Sequence, residues 1–391
     1  MLKRIRLVDF KSFVDEQVKL APLTLLVGAN ASGKSNLLDA IRFLKGLTLD
    51  LTLNEILNGE KRSQADAWPG IRGRAEEAAR IGTSAFQIDS TWLASVPFDR
   101  SRQAAEADSQ RVEIHHTIHC GGAPQFRLDA ESLDGGKLLG AANHSGGSRS
   151  LLGILANGSL IPEALDRGVA PVIPVLRDIL RDVQFLEINP ARMRDYGRRG
   201  DPLGEDGRNM SGVLSELCAN PDEKFSLVSF IAELCAPEIE DIEFRGVEEL
   251  GDVIAMFVEK NGRRISARSI SDGTLHFLGT LLALRTAKPG SVVLIEEIES
   301  GLHPTRIRLL VEYLQSVTNE LDIQVIATTH SPVVLQWLSE ESLRNTIVCG
   351  RVPEHEGTIL RRLSELPHLF EVLQRKGIDE LFTTGWLEMA L

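Results

Sequence analysis

Apolar and polar positions follow several rhythms along this chain, and each rhythm predicts an element. Residues 2–20 alternate weakly, as edge strands do. The run Leu23-Thr24-Leu25-Leu26-Val27 is almost wholly apolar and reads as a strand buried on both faces. Leu37, Leu38, Ile41 and Leu44 then recur at helical spacing. Residues 48–80 mix Leu53, Ile56 and Leu57 with Glu76, Glu77 and Arg80, which predicts helix lying on the surface. From Ala85 the period shifts toward two. Phe86, Ile88 and Trp92, then Val112, Ile114, Ile118 and Phe126, predict antiparallel strands. Residues 133–160 carry Gly135-Gly136 and Ser145-Gly146-Gly147-Ser148 and read as a loop or flexible connector. Helical spacing returns at 173–182 (Ile173, Val175, Leu176, Ile179, Leu180). It returns again at 211–236 (Val213, Leu214, Leu217, Phe225, Val228, Ile231, Leu234), with a strand at 183–188 between. No heptad repeat, internal repeat or long low-complexity segment runs through the chain, so a long coiled-coil arm is not expected.

Between the buried strand and the first helix stands Gly28-Ala29-Asn30-Ala31-Ser32-Gly33-Lys34-Ser35, followed by Asn36. It fits G-x-x-x-x-G-K-[ST] at every fixed position and in the strand–loop–helix context that a phosphate-binding loop needs. Gly28 and Gly33 permit backbone angles and a close approach that a side chain would obstruct. The loop amides and the positive end of the helix would face a polyphosphate. Lys34 would reach the β- and γ-phosphates, and the Ser35 hydroxyl would ligate Mg²⁺.

Three later stretches complete that chemistry. The strand Val292-Val293-Leu294-Ile295 ends in Glu296-Glu297. Carboxylates at the C-terminal end of a strand lie where open α/β sheets bind ligands. Glu296 would hold the Mg²⁺ shell, and Glu297 would orient and deprotonate the attacking water. Ser300-Gly301-Leu302-His303 leads to a helix whose first position suits Pro304, with Ile307, Leu310, Val311 and Leu314 on one face. The strand Gln324-Val325-Ile326-Ala327-Thr328 follows, then Thr329-His330-Ser331-Pro332. One βαβ crossover thus returns His330 to the sheet edge that carries Glu297, where it would hydrogen-bond the γ-phosphate. Finally, Ser271-Asp272-Gly273 precedes a helix through Leu275, Leu278, Leu281 and Leu282, giving a second helix N-terminus suited to an anion.

Composition changes this picture little. With 43% hydrophobic and 25% charged residues the chain is ordinary for a globular protein. No apolar run is long enough to span a membrane, and residues 1–6 lack a signal core, so a cytoplasmic protein is expected. Cys120, Cys218, Cys235 and Cys349 form no C-x-x-C pair, which argues against a structural zinc site or a disulfide framework. His115-His116-Thr117-Ile118-His119-Cys120 resembles a metal cluster, but same-face residues four apart on a strand lie roughly 13 Å apart. That is too far for one ion, so ordinary strand residues are expected. The net charge of −12 does not favour nucleic acid. A local basic face remains open, and Arg192, Arg194, Arg198 and Arg199 after the strand at 183–188 are its candidates. They read first as a solvated loop and second as a phosphate contact.

In combination and in this order, these residues resemble the ATP-binding-cassette class of ATPase heads, in the SMC/RecF/OLD branch often grouped with AAA family ATPases. Residues 28–35 match its Walker A motif. Ser271-Asp272-Gly273-Thr274-Leu275 matches its signature, where transporters carry a Ser-Gly-Gly-Gln pattern. Residues 295–304 resemble its Walker B and D-loop, and Thr329-His330-Ser331-Pro332 its switch histidine. Asp9-Phe10-Lys11-Ser12-Phe13 and Gly377-Ile378-Asp379-Glu380-Leu381 resemble sequences near the two ends of that branch. Glu296 replaces the more usual Asp and should still ligate Mg²⁺ through water. A Q-loop glutamine is not recognisable, and Gln87 stands as its candidate.

The resemblance implies an α/β fold, an ABC-type P-loop NTPase head with a mixed or parallel core sheet, an antiparallel β subdomain and a mainly helical insertion. The expected divisions are an N-terminal lobe at 1–130, an insertion at 131–240 and a C-terminal lobe at 241–391. ATP and Mg²⁺ are the implied cofactors. ATP would lie between two protomers, the phosphate loop of one facing Ser271, Asp272 and Gly273 of the other, in an ATP-dependent homodimer or higher oligomer. The resemblance further implies work in DNA maintenance or phage defence. Relatives in the branch often carry a Toprim nuclease. Here 61 residues follow His330 and hold no Asp-x-Asp pair, so a separate effector protein such as a nuclease is expected. The second hypothesis is a RecF-like DNA clamp acting through the four arginines. A transporter subunit ranks third, and no membrane partner is expected.

Overall fold

The computed structural model describes residues 1–61, 67–97, 109–133, 136–138, 149–154, 172–234, 239–247, 251–352 and 355–391. At its centre is a six-stranded sheet in the order Gln184–Leu186, Val292–Ile295, Gln324–Thr329, Leu23–Val27, Ile347–Gly350, Ile359–Arg362. All neighbours are parallel except the last pair. Alternation along its strands shows why the inner strands are buried throughout. Val292 and Leu294 join one core, while Val293 and Ile295 join the other. Both faces are covered, so no position is left for a polar residue to meet water.

A second six-stranded sheet is antiparallel, in the order Asp15–Lys19, Leu2–Val8, Ala85–Pro97, Ser109–Gly121, Arg127–Leu133, Gly136–Leu138. Only Asp15–Lys19 of the first two strands is an edge, and the pair belongs to this sheet and not to the core sheet. The sheet packs on the helix Lys34–Gly46 through an aromatic cluster. Phe86 meets Phe10, Phe43 and Phe126 edge-on with ring centres 5.2–5.5 Å apart. Such pairs add about 0.5–1.5 kcal/mol each beyond their burial. Phe10 thereby ties the start of the chain to the helix after the phosphate loop. A buried amide makes a second tie. Gln324 Oε1 accepts the Leu2 amide at 2.7 Å, and its Nε2 donates to the Leu2 and Ala21 carbonyls at 2.8 and 3.0 Å.

The helices Asp272–Thr286, Pro304–Glu320 and Met210–Leu217 cover the other face of the core sheet. A small sheet of Gly197–Arg198, Asp252–Glu259, Ile239–Val247 and Arg264–Ser266 lies beyond them. Among the described residues, no helix is long and apolar enough to cross a membrane.

Several expectations need correction. Residues 48–80 are not mainly helical. They hold one short helix, Leu53–Asn58, a two-strand pairing and the 3₁₀ turn Ala75–Glu77. Gly59, Gly70 and Gly73 take positive φ and cut the helical spacing short. The stretch does reach the surface, with Asn54, Asn58, Glu76 and Glu77 exposed while Leu53, Ile56 and Leu57 turn into the core. The pattern at 211–236 splits into Met210–Leu217 and Pro221–Leu234 at Asn220-Pro221, and Phe225 points outward, 76% exposed. Within 133–160, the described residues include the strand Gly136–Leu138 and the helix Leu151–Ile154, and the Gly- and Ser-rich residues 139–148 lie outside the described residues. The strand at 183–188 forms as Gln184–Leu186 and enters the core sheet, so the middle of the chain supplies one of its edges.

Candidate nucleotide site

The loop after Leu23–Val27 exposes Ala29, Asn30 and Ala31 and buries Gly28, Ser32 and Gly33. Gly28 has φ +148°, and a Cβ there would sit 2.1 Å from the Cys349 carbonyl of the neighbouring strand. Gly33 has φ +110°, and its Cβ would strike Thr358 Oγ1 at 2.5 Å. No side chain fits at either position. Thr358 braces the loop, with Oγ1 2.9 Å from the Ser32 carbonyl and 2.8 Å from Ser12 Oγ. Asn36 Nδ2 donates to the same Ser12 oxygen at 2.7 Å. The helix Lys34–Gly46 has no side-chain cap at Gly33. Among the described residues, the Gly33, Lys34 and Ser35 amides have no acceptor, and Ser32 Oγ is buried without a partner. Unpaired donors around a positive helix end fit an anion of several oxygens.

Lys34 Nζ donates to the Gly28 and Ala29 carbonyls at 2.7 and 2.8 Å. Burial pushes its ammonium below the ordinary value, against the opposing pull of Cys349, Glu297, Glu299 and Glu388. Glu388, from the helix Trp386–Met389, accepts the Ala29 amide at 2.7 Å. A carboxylate thus already sits on one amide of the loop.

Glu296 and Glu297 end the strand Val292–Ile295, beside the loop strand's neighbour Gln324–Thr329. Glu297 holds φ +47°, an uncommon backbone state for a residue with a side chain, and its amide donates to Thr328 Oγ1 at 2.9 Å. Glu296 accepts two bonds from the Arg72 guanidinium, at 2.6 and 3.0 Å. Arg72 also donates to the Ser35 carbonyl at 3.1 Å and to Asp39, which is buried and bonded to Lys11 at 2.6 Å. A fork-shaped cation therefore bridges the two residues expected to hold Mg²⁺. Their donors, a hydroxyl and a carboxylate, are hard oxygens of the kind Mg²⁺ takes, and the guanidinium between them marks a place that favours positive charge. His330 leaves the end of Gln324–Thr329 and pairs through Nδ1 with Glu299 at 3.1 Å.

Ser271, Asp272 and Gly273 stand apart from this group. Among the described residues, no hydrogen bond or ion pair joins them to the phosphate loop. Ser271 Oγ caps its own helix by accepting the Thr274 amide at 3.2 Å. Gly273 packs on the turn after Glu299, where a Cβ would lie 2.1 Å from the Gly301 carbonyl. Arg194 grips this corner, donating to the Arg268 and Ile270 carbonyls at 3.1 and 2.8 Å and to Asp272 at 2.5 Å.

Sequence reasoning missed Arg72, Asp39, Thr358 and Glu388. Arg72 lies between Gly70 and Gly73, both in positive φ, and that glycine-flanked cation was the one local signal available. Gln87 donates to Asp89 within the antiparallel sheet and meets no residue of the group described above. The histidine run lies on Ser109–Gly121 as ordinary strand. His116 is buried against Glu131 at 3.0 Å, and no cluster of three metal-ligating residues occurs among the described residues. Of the four arginines, Arg194 is bound as above and Arg199 donates to Ser215. Arg192, Arg198 and Arg199 are exposed.

A doubly covered parallel sheet, with a glycine-hinged loop and an acidic pair at the C-terminal ends of its strands, defines an ATPase head of the ABC type, in the SMC/RecF/OLD branch. The chain belongs to the family described as "AAA domain, putative AbiEii toxin, Type IV TA system", which matches residues 23–336. It is 23% identical over 376 residues to an OLD nuclease of Thermus scotoductus, covering 88% of this chain and 61% of that protein. It is 22% identical over 360 residues to an ATP/GTP phosphatase of Helicobacter pylori, covering 87% and 88%. A stretch of 70 residues is 40% identical to the DNA replication and repair protein RecF of Acaryochloris marina, 17% of this chain and 19% of that one. Among solved structures, an SMC head bound to the C-terminal winged-helix domain of ScpA superposes with a TM-score of 0.53 at 14% identity, covering 93% of this chain and 98% of that one. An SMC head with an extended coiled coil, bound to a ScpA domain, from Pyrococcus furiosus gives 0.52 at 13% identity, covering 95% and 98%. At these identities the structural likeness is one of fold.

Proposed function

We propose that this protein binds and hydrolyses ATP, closes into a dimer around it, and thereby controls a partner effector in DNA maintenance or phage defence. One observation carries the reading. The phosphate loop offers unpaired amides and an orphaned Ser32 hydroxyl, while among the described residues no hydrogen bond or ion pair ties the signature corner to that loop. Two copies facing each other would join the two halves.

In this reading residues 28–36 cradle the phosphates, and Lys34 exchanges its carbonyl partners for the β- and γ-oxygens. Ser35 and Glu296 would hold Mg²⁺, which supplies positive charge against the phosphates. Arg72 would then release Glu296 while keeping Asp39. A cleft of about 700 Å³, lined in part by Lys11, Ser12, Asn36, Arg80 and Arg351, opens beside Asn36 and would take the nucleoside end. Glu297 takes the proton of the attacking water, from a backbone state that fixes its direction. His330 faces the γ-phosphate. Control of an effector rests on the names of the similar proteins, a nuclease and a head bound to ScpA. The RecF-like reading draws on the 40% stretch and on the exposure of Arg192, Arg198 and Arg199, while Arg194 is committed to the signature corner.

Glu297→Gln tests the reading. Glutamine keeps the shape but is a poor proton acceptor, so turnover should fall at least about a hundredfold. ATP should still drive pairing, seen by light scattering as a dimer that persists after wild type has relaxed. If wild type is a standing dimer, labels on the two heads should report prolonged closure. Turnover at the parental rate would remove Glu297 as the base.

A further inference from the structure

His330 and Glu297 sit on different strands, and a third residue joins their loops. Glu299 is 8% exposed, and its Oε1 accepts the His330 backbone amide at 2.8 Å while meeting the ring Nδ1 at 3.1 Å. Two further bonds stitch the same loops together. The Glu297 amide reaches Thr328 Oγ1, and the Ile298 amide reaches the Thr328 carbonyl at 3.2 Å. The His330 ring is half exposed, so one edge is held from inside and the other faces out. The second carboxylate oxygen, Oε2, is buried with no partner. A buried carboxylate with an unsatisfied oxygen is costly unless its other bonds are worth keeping.

We infer that Glu299 is the positioning residue of His330. A carboxylate on Nδ1 requires the proton to sit there, which selects one tautomer and fixes the ring plane. Nε2 is then the nitrogen presented outward. With Nδ1–H held by Glu299, Nε2 accepts a hydrogen bond as neutral imidazole and donates to a phosphate oxygen only as the doubly protonated ring. Glu299 and a bound phosphate would then hold one positive ring between them. The inference rests on the reading above that His330 faces the γ-phosphate.

The test combines kinetics with nitrogen-15 spectra of histidine. In wild type without nucleotide, the His330 ring should show the Nδ1–H form, and both nitrogens should carry protons once ATP and Mg²⁺ are added to the Glu297→Gln protein. Glu299→Ala should mix the tautomers and lower kcat about tenfold, with KM for ATP within about twofold. Glu299→Gln keeps an oxygen for both His330 donors and should restore most of the tautomer preference and part of kcat. It also serves as the working variant if the alanine form does not fold. Glu299→Ala/His330→Ala should be no slower than His330→Ala alone, because each removes the same interaction. Additive losses, or an unchanged ring spectrum in the Glu299 variants, would overturn the inference while leaving His330 in place. A parental kcat in His330→Ala would instead overturn the reading beneath it.

Discussion

Two helices of this protein begin at glycine-bearing turns, and they begin in opposite ways. At the phosphate loop, Gly33 takes a left-handed angle, supplies no cap and leaves the first amides of Lys34–Gly46 unpaired. At the signature corner, Ser271 caps Asp272–Thr286 with its own hydroxyl, Asp272 adds negative charge to the first turn, and Arg194 closes over it. The first end is an open anion site in a single chain. The second is capped and carries its own negative charge, although the Asp272 and Gly273 amides also have no acceptor among the described residues. On the proposed function the two ends divide the work, the first taking the phosphates of its own chain's nucleotide and the second those of a partner's.

Removing the open half should have the largest effect. Lys34→Ala should weaken ATP binding at least about a hundredfold in a calorimetric titration, since two charge-assisted bonds of about 1.5–3 kcal/mol each are lost. Unchanged affinity would mean that the loop does not hold the phosphates. Filling the closed half should act differently. Ser271→Arg should leave binding to a single copy within about threefold yet abolish ATP-driven pairing, at a cost near 1 kcal/mol in stability from the lost cap. Pairing as in wild type would reduce Ser271 to a cap alone. The smallest effect should come from loosening the corner from behind. Arg194→Ala removes three bonds to residues 268–272, one of them to Asp272 of the signature corner and none to the phosphate loop. It should raise the ATP concentration needed for pairing by about tenfold, equal to about 1.4 kcal/mol, with single-copy binding unchanged. A shift in ATP binding instead would show that the two ends communicate within one chain.

What was legible in the sequence follows the same division. The phosphate loop is written in consecutive residues because its geometry is local, fixed by Gly28, Gly33 and the strand and helix beside them. The strand with Glu296 and Glu297 and the crossover to His330 were readable because burial on both sheet faces leaves an unbroken apolar run. Arg72, Glu388 and Arg194 were not readable as site neighbours, since their partners lie 33 to 359 positions away. Residues 48–80 misled for a different reason. The spacing of Leu53, Ile56 and Leu57 does make a helix, but Gly59, Pro69, Gly70 and Gly73 end it and turn the chain inward. Phe225 misled because its position in the helical pattern suited burial while its side of Pro221–Leu234 faces water.

The strand order also sets a timetable for synthesis. Leu23–Val27 lies between Gln324–Thr329 and Ile347–Gly350, with Leu23 opposite Val325. At an elongation rate of about 5–20 residues per second, its partners emerge roughly 15–60 seconds after it does. During that interval a nearly continuous apolar strand has no sheet to join, and the nascent chain must keep it covered. The antiparallel sheet, whose strands down to Leu133 are made early, and the Phe10–Phe43–Phe86–Phe126 cluster can supply that cover on one face only. Yield of soluble protein should therefore depend on translation speed and on chaperones at the ribosome, and slowing elongation before residue 324 should lengthen the exposure of the strand that carries the phosphate loop.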